Sequence, residues 1–195
     1  MRLHLNAFVV ADPNKCIGCK VCEVACSMAH ADREAITVGM VDTPLIAKLY
    51  LVKTATVTMP IQCRHCEDAP CAQVCPEAAI TQVNGKILIN EKDCIGCKTC
   101  LMACPFGAID IVPVYKNGEV ISQSVLKVET EAGLVEKELV VASKCDLCAE
   151  RPTGPACVLA CPEKALKMIV PKEETKKRNI DAAINLLDYV KNFTG

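Results

Sequence analysis

Sixteen of the 195 residues are cysteine, and they fall into four groups of four. The groups are Cys16, Cys19, Cys22 and Cys26; Cys63, Cys66, Cys71 and Cys75; Cys94, Cys97, Cys100 and Cys104; and Cys145, Cys148, Cys157 and Cys161. Soft sulfur ligands at this density mean either metal chemistry or cross-linking. The third group reads C-x2-C-x2-C-x3-C-P from Cys94 to Pro105, a spacing that holds [4Fe–4S] clusters. Four such groups imply four clusters.

The spacing has a geometric cause. Cys94, Cys97 and Cys100, on one tightly turning stretch of backbone, reach three corners of a single cubane. A short helix then carries Cys104 away, so Cys104 serves a different cluster, as the last cysteine does in two-cluster bacterial ferredoxins. Pro105 has no N–H to donate and disfavours the α conformation in the residue before it, which ends the ligand loop. The second group widens the middle gap between Cys66 and Cys71, and the fourth widens it further between Cys148 and Cys157; both close on proline, at Pro76 and Pro162. The first group has Ser27 in that place, so a changed exit path is expected there with the ligating sulfurs unaffected.

Two other uses of sulfur compete with this one. Disulfide scaffolds belong to short secreted chains, and the start of this one, Met1-Arg2-Leu3-His4-Leu5-Asn6, has no apolar signal region. Structural zinc also uses C-x2-C pairs, as a zinc or assembly module would, but it seldom takes three cysteines at x2 intervals followed by x3-C-P. The rest of the composition agrees with clusters. The net charge of −1 offers no field for nucleic acid, and no apolar run is long enough for a transmembrane segment. With no Trp, three Tyr and three Phe, an aromatic core is out of reach, so the clusters must supply the core.

Each ligand group needs an element to aim it. Residues 79–89 are apolar and β-branched on both sides of Asn84-Gly85, a hairpin signal that joins groups two and three. Residues 108–112 and 165–170 predict strands after groups three and four, giving a repeated unit in which the last cysteine leads through a helical turn into a strand. That unit is the ferredoxin-like α+β fold in tandem, occupying residues 1–170. Two insertions carry no ligands. Residues 47–53 and 55–59 predict one strand or a broken pair, and Asn117-Gly118 and Ala132-Gly133 separate β-rich runs within residues 114–143. These insertions are expected to form a small sheet beside the clusters and to serve either as cover or as docking surface.

The remaining polar residues add no catalytic constellation. His4, His30 and His65 are scattered, so the chain is expected to turn over no substrate. His65 sits inside a ligand loop and reads as a buried structural histidine, its functional alternatives being donation to a cluster sulfur or proton transfer. Lys15, Lys20, Lys98 and Lys144 adjoin ligands and read as solvated surface, the alternative being an effect on cluster potential. In the tail, residues 171–195, Asn179 predicts an N-cap ahead of Ile180, Ala183, Ile184, Leu187 and Val190 at helical spacing, flanked by Leu186, Tyr189 and Phe193. This amphipathic helix either folds back on its own domain or binds a neighbour.

Taken together, the residues resemble a family. Residues 62–71, with Lys144-Cys145-Asp146-Leu147-Cys148 before Gly154-Pro155-Ala156-Cys157, are similar to the four-cluster iron–sulfur subunits of molybdopterin oxidoreductases. They most resemble the small subunits of formate hydrogenlyase and of hydrogen-dependent carbon dioxide reductase. The resemblance implies a nested ligand pairing. Cys16, Cys19 and Cys22 would take Cys161; Cys145, Cys148 and Cys157 would take Cys26; Cys63, Cys66 and Cys71 would take Cys104; and Cys94, Cys97 and Cys100 would take Cys75. It also implies a cytoplasmic electron relay between a molybdenum or tungsten formate dehydrogenase and a hydrogenase or second ferredoxin-like subunit. Carbon monoxide dehydrogenase and aldehyde oxidoreductase are the alternative partners, and self-association through the terminal helix, as in filaments, is a further implication.

Overall fold

The computed structural model describes residues 5–31, 38–131 and 133–194. His4, Ala132 and Gly195, named above, lie outside them, as do residues 32–37 of the first insertion and the side chain of Phe193.

The ends of the cluster-bearing region meet. Strand β1 (Phe8–Ala11) turns Val9 and Ala11 inward and leads through the first ligand loop into α1 (Val21–Ala29). Far along the chain, α4 (Ala156–Ala160) follows the fourth loop and feeds β12 (Leu166–Ile169). β1 and β12 pair antiparallel, Phe8 opposite Ile169, and α1 packs on α4. The first and last cysteine groups therefore lie side by side.

The middle groups are joined in the same manner. Helix α2 (Pro70–Gln73) packs on α3 (Thr99–Ala103). The chain between them forms the antiparallel hairpin of β4 (Ile80–Val83) and β5 (Lys86–Ile89), which turns on Asn84 and Gly85 at φ +50° and +74°, as a type I′ turn requires. β6 (Asp110–Pro113) then pairs with β11 (Val140–Ser143), which returns the chain to the fourth group.

The helices stop where the prolines dictate. α3 and α4 end one residue before Cys104 and Cys161, whose backbones are extended ahead of Pro105 and Pro162. Ser27 imposes no such stop, and α1 runs on past Cys26 to Ala29, the His30 N–H closing it on the Ser27 carbonyl at 3.1 Å.

In the insertions, β2 (Tyr50–Lys53) pairs with β3 (Thr58–Ile61), β7 (Tyr115–Lys116) with β8 (Glu119–Val120), and β9 (Ser122–Thr130) with β10 (Gly133–Glu138). The expected small sheet is absent: among the described residues every sheet has two strands. The physical reason is that ligand loops interrupt the chain after short strands, while β9 and β10 are exposed on both faces and offer no apolar side for a third strand.

Buried residues gather in two groups. One joins Val9, Leu49, Leu147 and Leu166 to Cys22, Cys26, Cys63, Cys145 and Cys157; the other joins Ile80, Ile87, Ile109 and Ala142 to Cys71 and Cys100. Neither contains an aromatic side chain.

The tail is one helix, α5 (Pro171–Thr194), which starts well before the Asn179 cap read from the sequence. Proline is well suited to the first helical turn, and Glu173 and Glu174 there complement the helix dipole while their N–H groups reach the Val170 carbonyl. Ile180, Ile184 and Leu187 are each at least half exposed, so their apolar stripe is not folded onto the body of the chain. No helix among the described residues is long and apolar enough to cross a membrane.

Candidate metal centres

None of the sixteen cysteines is joined in a disulfide, and they gather in four sets. Cys16, Cys19, Cys22 and Cys161 line one cavity, closed by Leu51 and Leu166. Cys94, Cys97, Cys100 and Cys75 line a second, closed by Ile80 and Ala142. The other two sets, whose members are buried except for the half-buried Cys66 and Cys104, show in how their thiols perturb one another. Burial, then the neighbouring Cys26, Cys148 and Cys22, push the Cys157 thiol up to about 12. Burial also raises Cys145, with Cys157 and Cys26 adding to it. In the last set, burial outweighs the lowering effect of Lys144 and, with Cys63 and Cys104, pushes Cys71 up to about 11. Cys66 is raised by burial first, then by Cys63, with Asp68 and Cys104 adding to the effect. Each set mixes cysteines from two groups distant in sequence.

Backbone amides point at these sulfurs. Ala108 N–H donates to Cys104 Sγ at 3.4 Å and Ala165 N–H to Cys161 Sγ at 3.3 Å, each from four residues beyond the cysteine. After Cys26 the corresponding residue, His30, is spent closing α1, and the donor comes instead from Lys48, whose N–H reaches Cys26 Sγ at 3.3 Å. Ala142 donates to Cys94, Ala156 to Cys148 and His65 to Cys63. Donors of this kind stabilise thiolate and tune a cluster's potential.

Gly96 shows how closely the backbone wraps a ligand loop. At φ +66°, a Cβ added there would lie 2.5 Å from the Val140 carbonyl oxygen, on the strand that returns to group four. Gly96→Ala is expected to destabilise the chain by about 2 kcal/mol through backbone strain and overlap. Gly39→Ala, where a Cβ meets nothing within 4 Å, is expected to cost less than about 0.5 kcal/mol. Thermal unfolding under anaerobic conditions checks both, and equal midpoints for the two variants contradict this account of the loop.

The structure corrects one expectation for the polar residues near the ligands. Lys15, Lys20 and Lys98 are exposed, but Lys144 is only 3% exposed and donates from Nζ to the carbonyls of Ile87 and Cys145. The physical cause is its place at the end of β11, where the chain turns inward to the fourth loop. His65 is fully buried. A cluster that sequence spacing did not reveal joins His30, Lys48 and Asp146. His30 Nε2 lies 3.0 Å from the Asp146 carboxylate, and Lys48 Nζ lies 3.1 Å from it. Burial alone would lower His30, but its bonds to Asp146 and Cys26 raise it to about 10. Burial would raise Asp146; His30 and Lys48 outweigh that and hold it well below the usual carboxylate range. His30, Asp146 and Cys148 offer atoms within 4.8 Å of one another, yet the Lys48 ammonium already takes the carboxylate. The signal was out of reach in sequence because His30 and Asp146 stand 116 residues apart.

The donor chemistry fits iron–sulfur cubanes: four sulfurs per set, apolar walls, and amide N–H groups on the sulfurs. The fold and these centres define an electron carrier of the ferredoxin class, with two cluster pairs. The 4Fe-4S dicluster domain family matches residues 54–118, and a second 4Fe-4S dicluster domain matches residues 93–165. Electron transport protein HydN of Escherichia coli (strain K12) is 41% identical over 83% of this chain and 87% of its own length. Hydrogenase-4 component A of the same organism is 44% identical over 85% of this chain and 83% of its own. Formate hydrogenlyase subunit 2, also from that organism, is 40% identical over 85% and 82%. The chain belongs to the 4Fe-4S dicluster family, as an iron–sulfur electron-transfer subunit of the formate hydrogenlyase type. It carries four [4Fe–4S] clusters and, like the relatives named electron transport proteins, is a non-catalytic carrier.

Proposed function

We propose that this chain relays single electrons between a molybdenum or tungsten formate dehydrogenase-type catalytic subunit and a hydrogenase. The ligands we assign are Cys16, Cys19, Cys22 and Cys161; Cys145, Cys148, Cys157 and Cys26; Cys63, Cys66, Cys71 and Cys104; and Cys94, Cys97, Cys100 and Cys75. The observation that carries this assignment is the mixing of distant cysteine groups within each sulfur set. Bound clusters supply the one-electron chemistry. The protein's share is to hold the sets in two adjacent pairs, to exclude water with Leu51, Ile80 and Leu166, and to aim amide N–H groups at the sulfurs. The choice of partners is supported by the hydrogenase and formate hydrogenlyase names of the relatives. The reading assigns the chain to the cytoplasm, where reduced thiols persist.

Anaerobic purification of the native complex tests the partners. Co-elution of a molybdopterin subunit with formate-dependent reduction of this chain supports the reading. A complex whose large subunit reduces the chain with carbon monoxide or an aldehyde, and not with formate, overturns it.

The exposed stripe of Ile180, Ile184 and Leu187 on α5 supports a self-association role for the tail. Deleting residues 172–195 is expected to leave the iron content unchanged while lowering the particle mass measured by light scattering on a sizing column. An unchanged mass removes the role.

A further inference from the structure

The second residue inside each opening C-x2-C pair turns through the left-handed region: Gly18 at φ +73°, Gly96 at +66°, Leu147 at +60° and His65 at +50°. Glycine does this without strain. A side chain there costs roughly 1 kcal/mol or more, so Leu147 and His65 need a reason. Leu147, 2% exposed, has one in packing, since it lies in the buried group with Val9 and Leu166. His65, at 0%, places a polar ring where its counterpart is apolar.

The ring's bonding is half complete. Nδ1 accepts the Ile87 N–H at 2.9 Å, which leaves the neutral ring's proton on Nε2. Nε2 is buried and has no hydrogen-bond partner, cysteine sulfurs included. A donor stranded in this way costs about 1–3 kcal/mol. On the other side of the same residue, the Ile87 carbonyl accepts from Lys144 Nζ, so one strand residue holds both the imidazole and a buried ammonium. No described ion pair joins Lys144 to a carboxylate.

We propose that His65 Nε2–H donates to an inorganic sulfide of the cluster held by its own loop, Cys63, Cys66 and Cys71, and that, with Lys144 as the adjacent buried cation, it makes this cluster the first of the four to be reduced. The proposal rests on the ligand assignment above. A donor on sulfide and a cation in a low-dielectric site both favour the more negative, reduced form. No other loop has a donor at the equivalent position, since Gly18 and Gly96 have no side chain and Leu147 has no donor. The favoured cluster also sits at a junction, because Cys63 belongs to one buried group and Cys71 to the other.

The test uses full-length His65→Leu, which copies the residue of the fourth loop, and Lys144→Met, each prepared anaerobically and assayed for iron and sulfide. In an EPR-monitored dithionite titration, the first-reduced of the four components is expected to move at least tenfold in its one-electron equilibrium, 59 mV to the negative, with the other three unmoved. In wild-type chain labelled with 15N-histidine, pulsed EPR of the first-reduced signal is expected to show weak 15N coupling that survives His30→Gln and vanishes in His65→Leu. Fully loaded variants with unmoved midpoints, four components shifting together, or a coupling that follows His30 each overturn the proposal. If His65→Leu loads poorly, the wild-type coupling decides alone, its absence being fatal. An error in the ligand assignment registers elsewhere, in the iron counts of paired cysteine variants.

Discussion

Cys104→Ala is expected to lower the iron content from about sixteen to about twelve per chain, and the lost cluster is the one in the Cys63 loop, not the one in the loop that Cys104 closes. Paired replacements show which. If Cys104 and Cys63 serve one cluster, Cys104→Ala with Cys63→Ala removes no more iron than either alone, and the loss stays near four. If Cys104 and Cys94 serve two, that pair removes about eight. Such non-additivity is the signature of groups that act as a unit. The basis is the way Cys104 adds to the raised Cys66 and Cys71 thiols, whereas Cys94 lines its cavity with Cys75. Iron and sulfide analysis of the anaerobically purified chains reads the outcome. A Cys104–Cys63 pair that loses about eight iron ends the crossed assignment. Under the relay proposed above, the single variant is also expected to slow transfer between the partners by orders of magnitude.

The cysteine spacing reveals far more of this protein than its secondary-structure pattern does. Three sulfurs two apart and a fourth before proline state the cofactor, since ligand geometry is local and stringent, and the crossing is the expectation that the paired variants test. Asn84-Gly85 is equally legible, because a two-residue turn has few chemistries, and the hairpin of β4 and β5 turns there. The ribbon of β9 and β10 is legible as strand but not as an isolated pair, since whether strands gather into a wider sheet depends on what their faces can bury. Asn179 misleads for a related reason: it is a fair cap, but Pro171 opens the helix earlier, and the charged run after it is compatible with a solvated helix face. Lys144 is the plainest case. Its neighbours in sequence are polar or ligating and suggest surface, while the pairing of β11 with β6 draws it inside. His30 and Asp146 meet only because α1 and the fourth loop share a half of the fold, a contact that neither local sequence records.

Removing the metal from the purified chain is expected to abolish its cooperative unfolding transition. The buried groups are built from short aliphatics and cysteine, and the strands around them are paired only in twos. Two-stranded ribbons are marginal in water on their own. Buried thiols without iron are neutral, since burial pushes Cys22 up to about 11 and Cys157 to about 12, so they bring neither charge to attract donors nor volume to fill the cavities. Metal bound through deprotonated thiolates contributes about 10 kcal/mol or more per structural site, comparable with the roughly 5–15 kcal/mol net stability of a whole domain. Four sites at that scale exceed the net stability of a whole domain, so losing them leaves no surplus to hold the fold. Oxidation and chelation followed by amide hydrogen exchange gives the measurement. Protection in β4, β5, β6 and β11 is expected to vanish, while α5, whose apolar stripe leans on no cluster, changes least. Protected amides persisting in those four strands after complete iron removal contradict a core made by its cofactors, and with it the reason so long a chain manages without tryptophan.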